Sequence, residues 1–155
     1  MNLKPSLLVI FIVLTFQEFI SGENICDEAI IINDPLGKRW TEYSLDDSAT
    51  AIDDRQYSFK WIRFNSTVGP YIAGFFPGKN KCGTIRQIWI KDDPAEQFSS
   101  EILQACISNH INPCATLIGI QVYNCESFVI WKLMTEIPIK AGICLGSVFD
   151  ITVHF

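Results

Sequence analysis

Six cysteines hold most of the chemical potential of this chain: Cys26, Cys82, Cys106, Cys114, Cys125 and Cys144. A thiol can act as a nucleophile, as a metal ligand or as half of a disulfide. The spacing argues against the first two. No C-x-x-C pair occurs, and the two histidines, His110 and His154, lie outside any zinc-binding spacing. A catalytic thiol would leave an odd cysteine, whereas an even count in a secreted chain implies structural bridges. The G-x-S-x-G, H-E-x-x-H and phosphate-loop motifs are also absent. His154 falls on the polar side of a strand pattern. His110 sits between Cys106 and Cys114 in a short loop with Asn109, Asn112 and Pro113. Both read as surface residues, so the chain is expected to be non-enzymatic and to need neither metal nor cofactor.

Asn65-Ser66-Thr67 is the one N-x-S/T sequon. It follows an apolar run and precedes Gly69-Pro70, which makes Asn65 a glycan acceptor at an exposed turn. Asp46-Asp47 and Asp53-Asp54 carry carboxylate oxygens of the kind calcium prefers, yet without the alternating spacing of a calcium loop. They are expected to be solvated loop charge. Trp61, Trp89 and Trp131 lie in strand-like runs and are expected in the core. Trp40, beside Lys38 and Arg39, is the tryptophan expected at the surface.

The N-terminus reads as a targeting segment. Lys4 precedes an unbroken apolar run from Leu7 to Phe16, too short for the roughly 20 residues of a membrane span. Small residues Ser21 and Gly22 then offer a cleavage point, so residues 1–22 are expected to be a signal peptide and 23–155 the mature domain. No second apolar run of membrane length occurs, and the sequence ends at Phe155 without a retention or lipid-anchor signal. The domain is expected to be secreted, extracellular and free of a membrane span.

The elements that must position these groups are strands. Residues 149–155 alternate without error between apolar residues and Asp150, Thr152 and His154. Ile88 and Ile90 share one face of 87–91, and Ile118, Ile120 and Val122 alternate before Cys125. The run 128–134 is apolar on both faces, which predicts a central strand. Residues 58–64 and 71–76 add shorter β-rich runs, and 98–107 favours strand over helix. Turns at Gly69-Pro70, Pro77-Gly78 and Asp92-Asp93-Pro94 separate them. The polar stretch 34–57 reads as loop around one or two short strands. With 155 residues, 48% of them hydrophobic, a single domain can bury a real core. The pattern predicts an all-β fold with at most one short helix: a small, disulfide-stapled antiparallel sandwich or irregular barrel. The 12 Lys+Arg against 17 Asp+Glu give a net charge of −5, which disfavours nucleic acid as a partner.

The motifs around the cysteines resemble the cysteine-rich domain, with eight or ten cysteines, of the uromodulin and pancreatic secretory granule major glycoprotein family. Trp61-Ile62-Arg63-Phe64 is similar to the family's W-Y-R-F. Cys82-Gly83-Thr84 with Ile88-Trp89-Ile90 resembles its C-x-T…W-L. Gln104-Ala105-Cys106-Ile107 leads after the same step to Cys114, Ile120 to Cys125 resembles V-x-V-x-x-C, and Gly142-Ile143-Cys144 closes the frame. The resemblance implies the bridges Cys26–Cys125 and Cys82–Cys144 out of the 15 pairings that six cysteines allow. It also implies Cys106–Cys114, for which the turn formers Ser108-Asn109 and Asn112-Pro113 give local support. Two cysteine pairs of the ten-cysteine version are missing as whole pairs. The family's flanking growth-factor-like and polymerising modules are missing too, so filaments are not expected. The family's glycan position falls here on Lys132, which cannot carry one. The resemblance implies an extracellular binding or glycan-presenting module, with Asn65 presenting a sugar to an extracellular protein or glycan-binding partner. The competing expectation is a structural component of a secreted extracellular matrix or coat.

Overall fold

The computed structural model describes residues 25–92 and 102–146. The segment 1–22 expected to be a signal peptide, the strand read at 149–155 with His154, the turn residues Asp93 and Pro94, and positions 98–101 lie outside the described residues. Among the described residues, nine strands follow a helical turn at 25–28: β1 (Ile30–Asp34), β2 (Trp61–Ser66), β3 (Tyr71–Ile72), β4 (Arg86–Ile90), β5 (Ile102–Ile107), β6 (Thr116–Asn124), β7 (Val129–Leu133), β8 (Ala141–Ile143) and β9 (Leu145–Gly146). A 3-10 turn spans Arg55–Tyr57. Seven strands form one sheet in the order β1-β2-β7-β6-β5-β4-β8, and β3 pairs with β9. The sheet curls into a half-barrel, so the fold is the irregular-barrel alternative of the all-β expectation.

Alternation builds the interior. Ile118, Ile120 and Val122 of β6 face inward, opposite Trp131 and Leu133 of β7 and Leu103 and Ala105 of β5. Ile88 and Ile90 of β4 continue the layer, and Ile62 and Phe64 of β2 extend it the other way. Each such side chain, fully buried, contributes about 1.5–3 kcal/mol of transfer free energy. The run 128–134 is central, since β7 is paired by β2 on one side and β6 on the other. The four inner pairings are antiparallel. The outermost pairing at each end runs parallel: β1 with β2, and β4 with β8. Parallel neighbours need a long crossover rather than a hairpin, and residues 35–60 supply it for β1 and β2.

Two boundaries differ from the sequence reading. The run at 58–64 enters the sheet only at Trp61, because Phe59 adopts a φ of 63°, a left-handed conformation that interrupts an extended strand. Of 71–76, only Tyr71 and Ile72 pair. The polar stretch 34–57 is mainly loop, tied to the body by isolated bridges from Trp40 to Leu145 and from Ser44 to Lys81.

Candidate functional site

The cysteines come together as Cys26 with Cys125, Cys82 with Cys144, and Cys106 with Cys114, at Cα separations of 5.9, 5.2 and 4.8 Å. Register explains the short bridge. Cys106 sits in β5 opposite Leu117 of β6, so the chain turns back across it within a few residues. Asn109 holds that turn, its side-chain oxygen accepting from the backbone N–H groups of Ile111 and Asn112. His110 is exposed on the same loop. The other two bridges are long-range. One anchors the N-terminal helical turn to the β6–β7 hairpin, and the other ties residue 82 to the link between β8 and β9.

Asn65 is exposed near the end of β2 rather than in the turn itself. Its Nδ2 donates to Oδ1 of Asn33 at 2.9 Å, its parallel partner in β1. A strand places residues two apart on the same face, so Asn65 shares the outer face of the sheet with Arg63 and Trp61. Lys132 lies directly opposite Trp61 with its Nζ 5.6 Å from the centre of the indole ring. Gln121 of β6 is next in register, followed by Ile102 of β5. The Arg63 guanidinium lies 4.2 Å from the ring centre of Phe128. Tyr123 meets Trp61 edge to face, with ring centroids 6.4 Å apart. The aromatic–cation row on this face went unread in the sequence because its members come from three strands. Trp61 and Trp89 are half-exposed and only Trp131 is core, while Trp40 is exposed as expected.

The acidic pairs divide. Asp46 is exposed and accepts from the backbone N–H and hydroxyl of Ser48, which together hold its carboxyl below the usual value. For Asp53, burial works to raise the pKa, but hydrogen bonds from Arg55 and the charge of Arg55 outweigh it and the net shift is downward. Both border an open cavity of about 460 Å³ that Lys140 and Asn80 also line. Among the described residues no three acidic, histidine or cysteine side chains cluster as metal ligands.

Asp54 corrects the reading of solvated charge. It is 1% exposed and its two oxygens take Arg39 Nη1 at 2.6 Å and Nη2 at 2.7 Å. It also accepts the backbone N–H of Ile143 at 2.8 Å. Arg39, placed by the sequence in a loop beside an exposed tryptophan, is itself buried. Burial alone would lower its pKa, but the hydrogen bond and charge of Asp54, with Asp34, raise it. Asp34 is buried too and caps the following loop, accepting from the backbone of Lys38 and Arg39 and from the Ser66 hydroxyl. Three charges thus pin the 34–57 loop to the sheet. They look like surface charge in sequence because the partners are separated by unpatterned loop.

Residues 62–145 match the family of uromodulin-like, cysteine-rich domains. The chain belongs to that family. The match runs from β2 to β9 and contains five of the six cysteines. No curated protein matches the chain. A uromodulin-like domain held by disulfides is typical of extracellular proteins, and the family is not known for enzymatic activity. No helix among the described residues is long and apolar enough to cross a membrane.

Proposed function

We propose that this uromodulin-like domain acts as a secreted, non-enzymatic module that presents an N-glycan at Asn65 to an extracellular partner. The observation that carries the reading is the position of Asn65. It is exposed, and it stands on a strand paired on both sides. Attachment of a sugar to Nδ2 consumes one of its two hydrogens. The other can still reach Asn33, so the modified side chain keeps its anchor. The family's own glycan position is occupied by Lys132, which is stacked on Trp61, and the role would therefore pass from β7 to β2. Cleavage after Gly22 would release a chain that begins at Glu23.

The test compares the wild-type protein with Asn65→Gln, both secreted from eukaryotic cells. Loss of a glycan-sized mass and of partner capture, with the unfolding midpoint unchanged, supports the reading. Unchanged gel mobility after endoglycosidase treatment of wild type refutes it. Retained incorporation into insoluble matrix without the sugar favours the structural alternative.

A further inference from the structure

The chain carries a net charge of −5, yet β2, β4, β5, β6 and β7 contain no acidic residue. Their cations Arg63 and Lys132 lie on the outer face, whereas Arg86 shares the inward side of β4 with Ile88 and Ile90. Among the described residues the acids lie in connections such as Asp46, Asp53 and Glu126, in the helical turn at Asp27 and Glu28, and in the buried pins of the loop. The outer face of the sheet is therefore a cationic and aromatic field on an acidic protein.

Its cations are poised rather than neutralised. Among the described residues, the ion pairs are Arg39 with Asp54 and Arg55 with Asp53. Arg63 and Lys132 have neither a carboxylate partner nor a hydrogen-bond acceptor there, and each is held against a ring, Phe128 and Trp61 respectively. Contact with a ring restricts each head group while no acceptor among the described residues takes its N–H donors, which lowers the entropy cost of binding an anion. The row Trp61, Lys132, Gln121, Ile102 crosses four strands, about 14 Å at the usual strand spacing. Tyr123 is 39% exposed beside it.

We propose that this face binds an acidic carbohydrate chain, one bearing carboxylate or sulfate groups. The cations meet the acid groups, the Gln121 amide meets hydroxyls, and Tyr123 offers a flat apolar surface to the C–H side of a sugar ring. Other occupants fit less well. An added strand finds no opening at β6 or β7, which are paired on both sides. A second copy of this chain packed face to face would set Arg63 and Lys132 against themselves. The inference does not depend on a sugar at Asn65.

The test titrates the full secreted protein with a chondroitin sulfate hexasaccharide, an oligosialic acid, a neutral hexasaccharide and a hexaglutamate peptide. Binding is expected for the two acidic sugars and to weaken with added salt. It should fall at least about tenfold in Arg63→Gln/Lys132→Gln, and also in Tyr123→Ala, with each variant fully folded by circular dichroism at the assay temperature. Asn65→Gln should bind as wild type does. Failure of both acidic sugars to bind overturns the proposal, as does equal binding by the double variant. Hexaglutamate binding as tightly as the sugars would point to an acidic protein partner and overturn it as well.

Discussion

Replacing Asp54 by Asn removes one charge and almost no volume, and leaves the buried Arg39 guanidinium without its hydrogen-bonded counter-ion, with only the charge of Asp34 near it. The wild-type carboxylate accepts three donors, two from Arg39 and the N–H of Ile143. An amide keeps one oxygen and turns its own N–H groups toward donors. Breaking a buried pair from one side costs about 3–5 kcal/mol, against a total stability of about 5–15 kcal/mol. At an m-value of about 1.5 kcal/mol/M, the urea midpoint of the disulfide-intact protein should fall by roughly 2–3 M. Because the Arg39 pKa is raised above its ordinary value, burial being outweighed by Asp54, its contribution is complete below that ordinary value and lost only as pH climbs through the still higher folded one. Deprotonation of Arg39 therefore cannot account for a loss measured at neutral pH. The double variant Arg39→Met/Asp54→Leu removes both charges and leaves mainly the Ile143 N–H unpaired, at about 1–3 kcal/mol. It should be more stable than Asp54→Asn. A midpoint shift for Asp54→Asn below about 0.5 M would put the pair in the range of exposed ion pairs and refute the argument from burial.

Non-reducing peptide mapping should return Cys26–Cys125, Cys82–Cys144 and Cys106–Cys114. By the loop-closure model, replacing the short pair with Ala should cost about 2.5 kcal/mol and either long pair about 4–5, so secretion yield should fall more for the long pairs. Gly142→Ala should destabilise by about 1–3 kcal/mol in thermal unfolding, because its Cβ would lie 3.0 Å from the Ile52 side chain and 3.1 Å from Thr84. Asp46 and Asp53 are both depressed below the usual 3.8. Their stabilisation is present above that value and is lost as pH falls through the lower folded values. An acid titration followed by circular dichroism should therefore show no loss from these two groups above about pH 5. N-terminal sequencing of secreted material should begin near Glu23.

The interior of the sheet was legible because its strands obey a period of two. Ile88 and Ile90, and Ile118 to Val122, are buried on the side their alternation predicts. The central place of β7 follows from its apolar residues on both faces. The parallel edges were not legible. β8 is three residues, Ala141-Gly142-Ile143, too short to show a period, and nothing local distinguishes a parallel partner from an antiparallel one. Gln87 is 1% exposed although its strand neighbours on either side point inward. The loop at 81–84 covers that face, and its carbonyls at Lys81 and Thr84 accept the Gln87 amide. Such coverage depends on a loop's path, which composition does not encode. The outer row of Trp61, Lys132 and Gln121 failed to register for the same reason. Its unity is one of cross-strand register, visible only when β2, β7 and β6 are set side by side.

Synthesis delivers a chain N-terminus first, and the bridge pattern makes that order awkward. On any route into an oxidising compartment Cys26 arrives first, while its partner follows 99 residues later. At about 5–20 residues per second, that is a wait of roughly 5–20 s. Cys82 arrives in the interval and finds only Cys26, while Cys144 is still 62 residues away. The first correct partners to meet are Cys106 and Cys114, 8 residues apart. A Cys26–Cys82 bridge is therefore the natural early error, and β1 cannot settle beside β2 in its final register until exchange has undone it. A producing cell needs thiol exchange that keeps pace with translation. Rapid oxidation without an isomerase should trap the chain with its two ends crossed.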